Sequence, residues 1–222
     1  SLRSVRPDDL AREAAAAVEA GFRYVKLRLG IGDLAADLAQ LAAVRQAVGE
    51  NARLLADYNQ SQSVPDAIRR IWAFDELDLV WIEEPTRAED IEGHARIARE
   101  VDTPVQTGEN WWGIDDMARH VAARSSDLIM PDAGKIGGVT GWLHAAGLAR
   151  AHGLPTSSHL YVEVSSHLLA VTPTRHLVEY LDLAGPVLAE QLWLERGTVT
   201  APERPGSGIA WNATAMERWE RG

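Results

Sequence analysis

Seven apolar, β-rich runs recur along this chain, with amphipathic segments between them. The runs are "YVKLRL" (24–29), "RLLADYN" (53–59), "LVWIEEP" (79–85), "TPVQTGEN" (103–110), "DLIMPDA" (127–133), "LPTSSHL" (154–160) and "HLVEYL" (176–181). Segments such as "LAADLAQLAAVRQAVG" (34–49) and "VPDAIRRIWAFDEL" (64–77) place apolar residues at i, i+3 and i+4, one face of a helix. Near-continuous apolar strands are buried on both faces, which requires helices packed on either side of a parallel sheet. The pattern therefore predicts α/β architecture built of β/α units. The strands start about 20–30 residues apart, and so many units in one row predict a TIM-type (β/α) barrel. An open doubly wound sheet is the alternative, but no GxGxxG follows the first run to mark a dinucleotide site. An eighth strand would have to precede residue 1. The chain starts in "SLRSVRPDDLAREAAAAVEAGFRYV", without Met, so we expect a piece of a longer protein. Residues 1–222 are expected to form one barrel domain with a C-terminal extension, and "APERPGSGIAW" (201–211) reads as loop and short extended structure.

Composition removes several functional classes. A net charge of −10 disfavours nucleic-acid and anionic-membrane partners. The absence of cysteine removes thiol and disulfide chemistry and fits a cytoplasmic location. No apolar run approaches the roughly 20 residues of a membrane span.

In a parallel barrel all strand C-termini open onto one rim, where active sites form. Here that rim carries Lys26 and Arg28, Asp57 and Asn59, Glu83 and Glu84, Glu109 and Asn110, Asp132, His159 and Glu179. One charged strand end is usually a solvated cap, and "RYVKLR" alone would pass for an exposed edge strand with two cations on one face. A whole ring of such groups is different, because converging carboxylates repel one another. Asp57, Glu83 and Glu109 end three consecutive strands. An all-oxygen set of this kind favours a hard divalent ion, Mg²⁺ first. A rim of salt bridges using Lys26 and Arg28 is the plainer alternative. Glu84 points away from Glu83 in an ideal strand and reads as a supporting group. His159 and Asp132 end neighbouring strands, so the carboxylate can orient the imidazole and raise its basicity. A Ser-His-Asp hydrolase using Ser157 or Ser158 competes with that reading, but neither serine lies in a GxSxG turn. A phosphate loop at "GKIGG" (134–138) is a further alternative.

The stretches "DYNQS" (57–61), "WIEEPT" (81–86), "GENWWG" (108–113), "MPDAGKIGGVTGW" (130–142), "SSHL" (157–160) and "EYLDLAG" (179–185) resemble the mandelate racemase subgroup of the enolase superfamily. They run in order through nearly the whole chain. Intervals of 26, 26, 23, 27 and 20 residues separate Asp57, Glu83, Glu109, Asp132, His159 and Glu179 in turn, and they are similar to the racemase pattern. The resemblance implies a (β/α)₇β barrel whose first strand and capping domain lie outside this chain. It implies Asp57, Glu83 and Glu109 as Mg²⁺ ligands and Asp132–His159 as the acid/base dyad. It implies Glu179 as a carboxylic acid that hydrogen-bonds the substrate carboxylate, with Lys26 as its electrophilic partner. Asn59 is implied as a polar contact near the reacting centre, and Ser1 falls where a loop serine meets the carboxylate. Family members commonly assemble as dimers to octamers, so a homo-oligomer is expected.

Arg28 departs from the pattern. The family's K-x-K motif supplies a second lysine there, the base facing the histidine across the substrate. Enolase-superfamily sites pair a Lys or His base with Mg²⁺ that stabilises an ene-diolate. The expected reaction is therefore abstraction of the α-proton of a 2-hydroxycarboxylate by His159. An arginine is effectively always protonated, which favours a one-base acid-sugar dehydratase over a two-base racemase. A metal-dependent carboxylate-binding barrel without turnover is the non-enzymatic alternative.

Overall fold

The computed structural model describes residues 2, 4–190 and 192–220, with side chains omitted at 193 and 220. Strands β1 (Tyr24–Arg28), β2 (Arg53–Asp57), β3 (Ile82–Glu83), β4 (Val105–Thr107), β5 (Leu128–Ile129), β6 (Thr156–Ser158) and β7 (Arg175–Val178) form one sheet in sequential order. All neighbouring pairs are parallel. Helix α1 (Pro7–Glu19) precedes β1. Helices α2 (Leu34–Val48), α3 (Val64–Trp72), α4 (Ile91–Glu100), α5 (Gly113–Ala123), α6 (Gly138–His152) and α7 (Val162–Ala170) each follow one strand. Each predicted run overlaps one strand, β7 beginning one residue before its run, and every strand is shorter than its run. The residues past the ladder turn outward, and Asn59, Glu84 and Leu160 adopt positive φ of 42°, 41° and 46°. Asp57 and Glu83 are the last residues of their strands, while Asn59, Glu84, Glu109, Asp132, His159 and Glu179 lie in the loops just past them.

Local chemistry sets the helix starts. Asp33, Ser63 and Asp90 cap α2, α3 and α4 by accepting the amides of Ala36, Asp66 and Gly93, each such cap contributing about 1 kcal/mol. The helices cover the outside of the sheet through two apolar clusters. One gathers Leu10, Leu27, Leu41, Leu54, Ile71 and Ile82, and the other Trp111, Met117, Ile129 and Trp142. Inside the curl, Leu55, Trp81 and Leu128 form a third cluster.

The sheet curls until its two edges face each other. Phe22 and Tyr180 have ring centroids 5.5 Å apart and Tyr24 and His176 6.5 Å, although β1 and β7 do not pair. A cavity of about 940 Å³ lies between these edges, lined by Val25, Leu55, Trp81, His176 and Leu177 among others. The amide of Leu2 donates to the carbonyl of Lys26 at 2.8 Å, on the unpaired edge of β1.

The C-terminal region is more regular than the sequence suggested. Strands β8 (Trp193–Glu195) and β9 (Thr198–Thr200) form an antiparallel hairpin, and helix α8 spans Ala213–Glu220. Arg196 and Gly197 both take positive φ, 50° and 73°, as a two-residue hairpin turn requires. Asn212 accepts the amide of Ala215 at 3.0 Å near the start of α8, a start signal that the Pro- and Gly-rich stretch before it obscured.

Candidate active site

Parallel register brings the acidic strand ends together. Asp57 is in register with Glu83, and Glu83 with Gln106, three residues before Glu109. One carboxylate oxygen from each of Asp57, Glu83 and Glu109 lies within 4.8 Å of the others. Lys26 occupies the flank of this group. Its Nζ lies 2.5 Å from Glu83 Oε1, 3.0 Å from Glu179 Oε1 and 3.7 Å from Asp57 Oδ2. The indole N–H of Trp81 donates to the second oxygen of Glu83 at 3.0 Å. Asn59 donates to both oxygens of Asp57, its backbone N–H at 2.7 Å and its side-chain amide at 2.9 Å. The amide of Asn59 is thus directed at a carboxylate of the cluster.

The electrostatics of the cluster are unbalanced. Burial pushes the carboxyls of Asp57, Glu83 and Glu109 above their ordinary range, Glu83 to about 7. Lys26 opposes this at all three, while neighbouring carboxylates add to it. Burial and then the charge of Glu109 push Glu84 to about 8. Burial works against the Lys26 charge too, but Glu83, Glu179 and Asp57 outweigh it and hold the ammonium firmly protonated. Among the described residues the charge of Lys26 does not offset burial and mutual repulsion at Asp57, Glu83 and Glu109. Three oxygen donors within reach of one point, two buried and one half-buried, fit a hard divalent cation held by Asp57, Glu83 and Glu109.

The resemblance implies Glu179 as a carboxylic acid. Burial favours that form, but Lys26 and the amide of Leu160, 3.1 Å from Oε2, oppose it and bring the group down to about 2. Among the described residues Lys26 is a cation within ion-pair distance of it, at 3.0 Å.

The second group forms at β5 and β6. Asp132 and His159 are joined by an isolated parallel bridge just past their strands. His159 Nδ1 lies 2.8 Å from Asp132 Oδ2. Asp132 is held ionised against burial by His159 and by the amides of Lys135 and Gly134, so Nδ1 carries the proton and donates. Those amides reach the other oxygen, Oδ1, at 3.0 and 2.8 Å. The second ring nitrogen, Nε2, points inward, 3.4 Å from Glu109 Oε2. Burial lowers the His159 pKa, but the Asp132 bond and the charges of Glu109 and Glu179 reverse this and raise it.

Arg28 shares the strand face of Lys26 and is in register with Asp57. Lys26 is buried and Arg28 is exposed. Among the described residues no hydrogen bond or ion pair involves Arg28. Ser1 lies outside the described residues.

Two alternatives lose their geometry. The hydroxyl of Ser157 lies 3.4 Å from His176 Nδ1, that of Ser158 is buried without a partner, and neither is bonded to His159. The amides of the "GKIGG" loop are all spent inside it. Those of Gly134 and Lys135 go to the Asp132 side chain, that of Ile136 to the Asp132 carbonyl, and those of Gly137 and Gly138 to the carbonyls of Gly134 and Ala133. No amide is left there for a phosphate.

Trp81 and Lys135 were absent from the expected site. Trp81 lies two residues before Glu83, so period-2 alternation already placed it on the same face. The Asp-x-x-Lys spacing of Asp132 and Lys135 marks a turn in which an Asp side chain accepts following amides.

A family whose description reads "Enolase C-terminal domain-like" matches residues 9–215. L-talarate/galactarate dehydratase of Salmonella typhimurium is 34% identical over 212 residues, 96% of this chain and 53% of that protein. 3,6-Anhydro-alpha-L-galactonate cycloisomerase of Streptomyces coelicolor is 36% identical over 214 residues, 95% of this chain and 58% of that protein. The crystal structure of an enolase from Bradyrhizobium complexed with magnesium and mandelic acid superposes with a TM-score of 0.91 at 45% identity, covering 95% of this chain and 58% of the other. The chain thus spans little more than half the length of the relatives it matches. The curled parallel sheet, the order of its strand-end acids and the extent of these matches lead to one assignment: the chain belongs to the enolase C-terminal domain-like family.

Proposed function

We propose that this chain is the barrel part of a Mg²⁺-dependent enzyme that removes the α-proton of a 2-hydroxycarboxylate and eliminates water from a sugar acid. The observation that carries this reading is the asymmetry of the rim. One side presents an imidazole with its carboxylate partner, and β1 presents a buried Lys26 ion-paired to the cluster and an exposed guanidinium, with no second imidazole or free amine. The acid-sugar dehydratase and the cycloisomerase among the relatives support the substrate class.

The α-proton of a carboxylate is very weakly acidic, and its removal leaves two negative charges on one small group. Mg²⁺, held by Asp57, Glu83 and Glu109, supplies the positive charge that makes such a dianion accessible. Lys26 adds an ammonium to the same region, and Glu179 orients it at 3.0 Å. His159 Nε2 accepts the α-proton, and Asp132, already accepting from Nδ1, stabilises the imidazolium that results. The β-hydroxyl then departs, takes the proton from His159 and leaves as water, and the enol product tautomerises to a 2-keto acid. Arg28 contributes fixed charge and a two-point donor for an anionic or polyol group.

A racemase is the second reading, favoured by the mandelic acid bound in the Bradyrhizobium protein. It needs proton exchange on the Arg28 side. A guanidinium is a permanent cation that gives up protons badly, and Arg28 is exposed on the strand that carries Lys26. The test is incubation of the full-length protein with Mg²⁺ in D₂O against acid sugars and aromatic 2-hydroxy acids. Deuterium should enter one configuration only, with 2-keto acid accumulating from an acid sugar. Deuterium entering from both faces would establish the racemase, and no exchange with any acid would leave a binding protein.

A further inference from the structure

The "GKIGG" loop cradles no phosphate, yet its lysine reaches across the rim. Lys135 Nζ donates to Asn110 Oδ1 at 2.8 Å. The amide nitrogen of Asn110 donates in turn to Glu84 Oε2 at 2.8 Å and to Glu109 Oε1 at 3.2 Å. Both ends of the lysine backbone are anchored, the N–H on Asp132 Oδ1 at 3.0 Å and the carbonyl accepting from Gly113 at 3.0 Å.

We propose that Lys135 is a positioning residue for the cation cluster, acting through Asn110 on Glu109 and Glu84. The inference rests on the reading that Asp57, Glu83 and Glu109 hold Mg²⁺. The physical reason is the asymmetry of a carboxamide, which has an acceptor on one side and donors on the other. An ammonium has only donors, so Lys135 fixes the oxygen of Asn110 toward itself and its nitrogen toward the two carboxylates. A reversed amide would aim its oxygen at Glu84 and Glu109 and repel both. Lys135 therefore keeps one oxygen of Glu109 occupied by a donor and fixes the orientation in which the other faces the interior of the site. Because its backbone also holds Asp132, the residue ties the cation side of the rim to the His159 side.

The experiment is calorimetric titration of Mg²⁺ into the full-length protein and its variants, without substrate. Groups that hold metal ligands from behind are typically worth about 10–100-fold in metal affinity. Lys135→Met is expected to weaken Mg²⁺ binding about tenfold, and Asn110→Ala by a similar factor. The double variant should lose no more than Asn110→Ala alone, since the lysine acts through the asparagine. Lys135→Arg, which keeps a donor, should recover most of the affinity. Unchanged affinity in Lys135→Met, or losses that multiply in the double variant, would overturn the proposal. If Lys135→Met does not fold, Lys135→Leu, which also lacks a donor, takes its place in the cycle with the same two outcomes. Wild-type protein that fails to bind Mg²⁺ would instead sink the reading of the cluster itself.

Discussion

The carboxylate cluster at β2–β4 and the imidazole pair at β5–β6 share one rim but stand in opposite electrostatic conditions. Asp132 and His159 complete each other: the aspartate is lowered, the histidine raised, and each charge has its partner at 2.8 Å. Asp57, Glu83, Glu84 and Glu109 are all raised, because burial and mutual repulsion exceed what Lys26, His159 and the Asn110 amide offset. The dyad is finished by the protein alone. The cluster has no such matched partner among the described residues. Desolvation acts on both, so the difference lies in whether opposite charges come in matched numbers.

Removing one charge from the unfinished region should have the largest effect. Glu83→Gln removes a buried carboxylate that accepts from both Lys26 and Trp81. It should cost at least about 100-fold in Mg²⁺ affinity, at the upper end for a disrupted metal site, and abolish α-proton exchange with it. Calorimetry and deuterium exchange read the two separately. Near-normal Mg²⁺ affinity in this variant would erase the distinction between the regions.

Next comes the finished region. His159→Asn should reduce exchange by about 10²–10⁴-fold, the usual contribution of a general base, while Mg²⁺ affinity stays within about threefold. Retained exchange at the configuration that presents its proton to His159 would remove it as the base.

A smaller effect is expected at Arg28, outside both groups. Arg28→Lys introduces a group that can lose its proton, and slow exchange of the opposite configuration should appear. Its complete absence, beside normal exchange at the first configuration, would show that the Arg28 side is not in reach of the α-carbon.

The smallest effect concerns stability. Carboxyls raised in the folded state bind protons that the unfolded chain has released, so their contribution is full below the unfolded values near 4.3 and is lost as pH rises through the folded ones. With Glu83 at about 7 and Glu84 at about 8, metal-free protein should lose stability between pH 6.5 and 8.5. His159, also raised, works in the same direction. Each kcal/mol corresponds to about 2–4 °C in Tm at this size. Mg²⁺ should reverse the loss at pH 8.5 by binding the folded state. Scanning calorimetry with and without Mg²⁺ checks this, and a Tm that rises from pH 6.5 to 8.5 in metal-free protein would contradict it. Below about pH 6 another pair takes over. Burial lowers His94 and brings His120 to about 4, so their contribution is lost as pH falls.

Much of the rim was legible before any fold was known, because alternation along a strand and parallel order are local rules. "LVWIEEP" placed Glu83 at a strand end by itself, and "DLIMPDA" did the same for Asp132. The C-terminal hairpin and α8 were not legible, since Pro and Gly spacing masked a turn at Arg196–Gly197 and a cap at Asn212. Glu179 was legible as a strand-end acid, but its contact with Lys26 at 3.0 Å was not.

What the sequence by itself determined is the order of chemistry around the rim: acids after β2, β3 and β4, an aspartate after β5, a histidine after β6, a glutamate after β7, and an arginine where the resemblance implies a lysine. These follow from short-range patterns of apolar and polar residues. Only the tertiary structure decided that Lys26 reaches Glu179 at 3.0 Å and keeps it ionised, that Arg28 is exposed while Lys26 is buried, and that Lys135 holds Asn110. Protonation and pairing depend on distance and on loss of water, and the partners that set them lie far apart along the chain. Closure of the sheet brings Lys26 to Glu179, and the packing of neighbouring strand-end loops brings Lys135 to Asn110.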